Sequence, residues 1–157
     1  MILEQLGILS TAQALTAGAV DSENVIDMGA VANVGLNEVW LSIETVVAET
    51  GGDTDTYIID VVISNEATLD TNIKILTISM VGTDPRLKTV GRSIMNCEIG
   101  HLIGEMLDGT KRYFGLISTL ADVGGTAAVT INASMSPSKP ATKLNTQVIR
   151  SNVTVPT

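Results

Sequence analysis

The sequence predicts an all-β, antiparallel sandwich or barrel of about eight short strands, and three observations carry that prediction. Between residues 38 and 81, three apolar runs (38–49, 56–65 and 72–81) alternate with a period of two. The runs are rich in Val, Ile and Thr, residues that suit a pleated, half-buried surface. Turn signals recur along the chain at the spacing expected of a two-layered β-protein.

Met1, Ile2 and Leu3 open an apolar segment, 1–7, that suits a strand or an arm. Residues 9–13 follow, then 14–20, which are small and weakly alternating. A helix over 9–19 is disfavoured by Thr16, Gly18 and the lack of a 3.6-residue stripe. The polar turn 21–24 leads to a short strand, 25–29, and a loop, 30–37.

The central runs come next. In 56–65, Tyr57, Ile59, Val61 and Ile63 share one face and Ile58, Asp60, Val62 and Ser64 the other. The connectors 50–55 and 66–71 are of hairpin length, so the block reads as an antiparallel meander. Gly82, Thr83, Asp84 and Pro85 have turn composition. Residues 86–91 lead to a weak strand, 92–99, and 100–109 reads as a loop with one helical turn. The strand 111–119 places Arg112, Phe114 and Leu116 opposite Tyr113, Gly115 and Ile117. In 126–136, Ala127, Val129, Ile131, Ala133 and Met135 line the side expected to be buried.

Pro137 and Pro140 end the sheet, since two prolines in four residues remove ladder donors. Residues 142–157 are polar and basic, with 147–155 weakly strand-like. The expected organisation is therefore a sandwich domain over 1–136, with 1–8 as an N-terminal arm, and an extended C-terminal arm over 137–157.

Composition bounds the function. At 157 residues the chain makes one ordinary domain, able to bury roughly 70% of its unfolded surface. The lone Cys97 excludes an intramolecular disulfide, and with the lone His101 it cannot supply a structural zinc site. A net charge of −8 argues against sequence-independent nucleic-acid binding. No apolar run approaches a membrane span. The first twenty residues lack the basic start of a secretory signal, so a cytoplasmic origin is expected.

The charge is divided: residues 1–73 sum to −12 and residues 74–157 to +4. After Asp122 the only charges are Lys139, Lys143 and Arg150. Such a division can orient one copy against another, or simply reflect two solvated surfaces.

No catalytic constellation stands out. Cys97 and His101 lie four apart, but a lone Cys beside Ile94, Met95 and Ile99 reads better as a small buried hydrophobe. Asp53 and Asp55 in a glycine loop fall short of a calcium ligand set and suit a hairpin turn. Neither Asn132-Ala133-Ser134 nor Asn152-Val153-Thr154 signals glycosylation without a secretory signal. No cofactor motif is present. Trp40 reads first as core and second as an interface anchor.

One resemblance gives these elements a function. Leu9-Ser10-Thr11-Ala12-Gln13-Ala14-Leu15-Thr16-Ala17-Gly18-Ala19-Val20, then Asn24-Val25-Ile26-Asp27-Met28-Gly29, resembles the N-terminal region of the jelly-roll capsid cement (decoration) proteins of tailed bacteriophages. Lys111-Arg112-Tyr113-Phe114 is similar to their penultimate strand. Met28 stands where those sequences carry leucine, residues 86–108 do not align, and 137–157 run past the family's last strand.

The resemblance implies a jelly-roll-like β-sandwich with no enzymatic activity and no cofactor. It would be made in the host cytoplasm and act in the virion, on the capsid exterior. There it would bridge neighbouring major capsid proteins and pair with itself, as a homodimer first and a trimer second, without direct contact with nucleic acid or membrane. The partner-facing residues would be Met1, Ile2, Leu3, Trp40, Pro137, Lys139, Lys143 and Arg150. A ligand- or carbohydrate-binding module of a phage fibre or tail is the alternative, and clustered exposed aromatics would favour it. A small enzyme around Cys97 and His101 is the third reading.

Overall fold

The computed structural model describes residues 7–27, 39–50, 54–101, 112–121 and 129–136. Among the described residues the alternating runs form strands: β1 (Ile8–Ala14), β2 (Gly18–Asp21), β3 (Ile26–Asp27), β4 (Trp40–Val47), β5 (Thr56–Ser64) and β6 (Asn72–Val81). One helical turn, α1 (Pro85–Lys88), precedes β7 (Ser93–Glu98), β8 (Tyr113–Ala121) and β9 (Thr130–Ser136).

The strands form two antiparallel sheets. The first runs β1-β9-β4-β7; the second runs β2-β8-β5-β6, with β3 also pairing β8. The pairings are nested: β1 with β9, β2 and β3 with β8, β4 with β7, and β5 with β6. A two-stranded ribbon folded over on itself gives this order, and among the described residues it leaves β1, β7, β2/β3 and β6 as edges.

The core lies between the two inward rows. Leu9, Leu41, Ile43, Val129, Ile131, Ala133 and Met135 come from the first sheet. Tyr57, Ile59, Val61, Ile63, Phe114, Leu116 and Leu120 come from the second. The inward row expected for 126–136 is buried at every described position. Burying a large apolar side chain contributes about 1.5–3 kcal/mol, and these rows supply most of that gain. The one buried hydroxyl among them on β4, Thr45, donates to the Arg86 carbonyl at 2.7 Å, so its burial carries no unpaired group.

The meander expected across residues 38–81 is corrected. β5 and β6 are a hairpin, but β4 belongs to the other sheet, between β9 and β7. The connector after β4 therefore crosses between layers. Its crossing is held by the Glu49 amide donating to the Leu87 carbonyl at 2.8 Å, and by the Tyr57 hydroxyl donating to the buried Glu49 carboxylate. Asp55, also in the connector, is buried, and its carbonyl accepts from the Gly82 amide at 2.8 Å.

β5 is covered on both faces. Outside, Val62 and Ser64 are buried beside the 65–71 turn, whose Leu69 folds back onto Gly115 of β8. A Cβ at Gly115 would sit 2.6 Å from Leu69 Cδ1, so only glycine leaves room there.

Candidate interaction surfaces

The outward face of the first sheet carries Trp40, Ser42 and Glu44 from β4, Asn96 and Glu98 from β7, and Asn132, Ser134 and Ser136 from β9. Trp40 stands opposite Glu98 on one side and Ser136 on the other, half-buried. The core reading of Trp40 is thus corrected: Leu41 and Ile43 point inward, and one step along a pleat turns the indole outward. The face is cross-linked by polar contacts. Asn132 Nδ2 donates to Glu44 Oε1 at 3.2 Å, and Asn132 Oδ1 accepts from the Ala12 amide at 2.7 Å.

Glu98 is the charged corner of this face. Its carboxylate meets His101 Nδ1 at 2.7 Å and accepts from the Gly100 amide at 2.6 Å. The His101 hydrogen bond holds the Glu98 carboxyl below the usual carboxylate range, with the Gly100 amide helping. Cys97 lies on the opposite side of β7, level with the fully buried Leu41. Burial, with the Glu98 charge beside it, pushes the thiol pKa up, away from the thiolate that a nucleophile needs. The imidazole is engaged by Glu98 and the thiol faces inward, so the pair spaced four apart in sequence is divided between two faces.

The four aromatics of the chain are likewise divided. Tyr57 and Phe114 are fully buried. Trp40 is on the outside of the first sheet, and Tyr113 is on the outside of the second, with the Arg112 guanidinium 5.5 Å from its ring centre. No two aromatics make a shared stacking platform. Among the described residues no group of three or more His, Cys, Asp or Glu gathers as a metal site, and no helix is long and apolar enough to cross a membrane.

The edges differ in how they meet solvent. β1 is interrupted by register shifts, with Ala12 at φ 50°, and the Glu23 carboxylate takes the Thr11 amide at 2.9 Å. β2 and β3 are four and two residues long, split by Ser22, whose amide and hydroxyl are both bonded to Leu116 of β8. β7 has a register shift near Ile94, whose carbonyl accepts from Arg86 at 3.5 Å. β6 is ten residues long and carries one charge, Lys74, drawn to Asp60 Oδ2 at 2.6 Å. Thr77 donates to the other Asp60 oxygen at 2.6 Å. Sequence reasoning did not single out β6 as a surface, although its signal was present: a ten-residue run with a single charged side chain.

Of the partner-facing residues expected from the sequence, only Trp40 is among the described ones. Met1, Ile2, Leu3, Pro137, Lys139, Lys143 and Arg150 lie outside them, as does Asp53. The two stretches that carry the family resemblance, however, meet in space. Ile26 and Asp27 pair with Phe114 and Tyr113, and Arg112 Nε donates to Asp27 Oδ1 at 2.6 Å. No protein-family model and no curated protein matches the chain.

Proposed function

We propose that the protein is a non-enzymatic capsid cement protein, binding the outer surface of a phage head and bridging neighbouring major capsid proteins. The observation that carries this reading is the pairing of β3 with β8. It brings together two segments 85 residues apart that separately resemble the family, and it joins them through Asp27 and Arg112. The nested strand order adds support, because a ribbon folded over on itself is how a jelly roll is built.

The physical task fits such a chain. Packed nucleic acid pushes a shell outward, and a subunit that binds only the assembled lattice stabilises it by mass action. Binding then needs area, shape and charge complementarity rather than a reacting centre. The outward Trp40 offers an aromatic anchor on a polar sheet face, and the acidic first half of the chain suits a basic capsid surface. The carbohydrate-module alternative draws no support from the aromatics, which are split between the core and opposite faces.

The test is binding to purified heads that lack decoration. The protein should co-sediment with heads at saturating, lattice-defined stoichiometry and raise the temperature at which they release their genome. Trp40→Ala should weaken binding by at least about tenfold, equivalent to roughly 1.4 kcal/mol, with little change in the melting temperature of the free protein. Absence of binding to intact heads overturns the reading.

A further inference from the structure

β6 is built to accept another strand. It is the longest edge among the described residues, and its described ladder partner is β5 alone. Sheet edges are ordinarily defended by short length, bulges or free lysines. Here the one lysine is neutralised by Asp60, leaving a single irregularity near Ile75. Both ends of the strand expose apolar side chains: Ile73 is 41% and Val81 51% accessible. Ile73, Leu76, Ile78 and Met80 follow the inward row, whereas Lys74, Thr77, Ser79 and Val81 follow the outward one.

The arm of the same chain has the complementary pattern. Drawn out as a strand, the sequence of residues 147–155 would put Ile149, Val153 and Val155 on one face with Ser151, and Val148, Arg150, Asn152 and Thr154 on the other. We propose that residues 147–155 of one copy add antiparallel to β6 of a second copy, reciprocally, so that each copy completes the other's second sheet. Antiparallel addition sets Ile149 beside Met80, Ser151 beside Ile78 and Val153 beside Leu76, continuing the inward row. Val148 then covers Val81, and Val155 covers Ile73 past the irregularity at Ile75. Arg150 falls opposite Ser79, clear of Lys74.

The length of the chain selects a second copy over the arm's own edge. Ser136 ends β9 at the Trp40 end of the sandwich, but an antiparallel arm must begin at the opposite end, beside Val81. Eleven residue steps separate Ser136 from Gln147, a reach of at most about 36–40 Å. The path descends a ten-residue strand, roughly 30 Å, and must go around two sheets about 10 Å apart. That leaves almost no slack for a linker containing Pro137 and Pro140, whereas the edge of a neighbouring copy can meet the arm wherever it emerges.

This inference stands apart from the shell reading, because the exchange requires no head. Full-length protein is examined by sedimentation velocity across concentrations, with hydrogen exchange of the β6 amides followed in parallel. A dimer is expected, with β6 amides that lose protection as dilution dissociates it. Val153→Pro in the arm, and separately Ile73→Lys with Val81→Lys on the edge, should each give monomers. Mixing the two deficient forms should restore a heterodimer, since one still has an intact edge and the other an intact arm. A dimer that survives Val153→Pro points to β6 pairing with β6 or to another face, and overturns the proposal. So does a wild-type monomer, whether its β6 is unprotected or protected independently of concentration. Failure of the mixture to associate overturns it as well.

Discussion

Two edges of the same sandwich face solvent in opposite ways. At β1, the backbone is kinked through Ala12, shifted in register twice, and met by the Glu23 carboxylate at the Thr11 amide. At β6, the backbone keeps its pairing over ten residues with one shift, and its only charge is withdrawn to Asp60. A kinked edge cannot template a regular ladder, while a long and electrically quiet one can. The difference teaches that an edge is defined less by which residues it contains than by where their charges are tied. Lysine on an edge is normally a guard, but Lys74 is bonded to its own sheet.

The largest break in this contrast is expected at Gly115. Gly115→Val drives a side chain into Leu69 and Ser22, displacing the turn that launches β6. Overpacking of this kind costs about 3 kcal/mol, readable as a lower midpoint in urea unfolding. The turn should lose hydrogen-exchange protection first. If the midpoint is unchanged, the turn is not held on β8 by this contact.

Asp60→Ala comes next. It removes the buried carboxylate that holds Thr77 and Lys74 and frees Lys74 to act as a guard, at a cost of about 2 kcal/mol for a hydrogen-bonded buried carboxylate. Self-association should fall at the same time, which separates this variant from a destabilised bystander. Equal association in both forms would show that Lys74 has no part in keeping the edge open.

A smaller effect is expected where β6 leaves for the other sheet. Asp84 caps α1 by accepting from the Arg86 amide at 2.9 Å and from its guanidinium at 2.7 Å. Asp84→Ala should cost about 1 kcal/mol. The Arg86 guanidinium holds the Asp84 carboxyl below its ordinary value. A lowered folded value means the linked stability is present above the unfolded pKa, near 3.9, and is lost as pH falls through the folded one. The variant should therefore lose less stability than the parent on acidification through that window. Parallel pH profiles would count against the linkage.

The smallest change sharpens the β1 side. Ala12→Gly relieves a left-handed alanine at φ 50° but loosens the unfolded chain, so a gain near 0.5 kcal/mol is expected. A loss instead would mean that the alanine methyl contributes packing at the kink.

Much of the strand inventory was legible in the sequence. The period of two grouped Tyr57, Ile59, Val61 and Ile63 on one face of 56–65 and marked Ile131 and Met135 of 126–136 for burial, and both rows turn inward; the grouping was legible because alternation is a property of a single strand. The same alternation, applied from Leu41 and Ile43, would have turned Trp40 outward. The contact between Asp27 and Arg112 was beyond reach, since nothing local to either segment specifies the other.

What the sequence determined by itself, then, is which segments are strands and which of their faces are apolar, because both follow from neighbours along the chain. Only the tertiary structure decided which strands pair. The connectors leaving β4 and β5 hold eight and seven residues, yet the first crosses between sheets and the second closes a hairpin. Length does not distinguish them. The crossing is set by Glu49, which bonds Leu87 and Tyr57, while the hairpin is set by Leu69 seating on Gly115. Those partners are distant in sequence, and the free energy that selects them exists only once both sheets have closed over a common core.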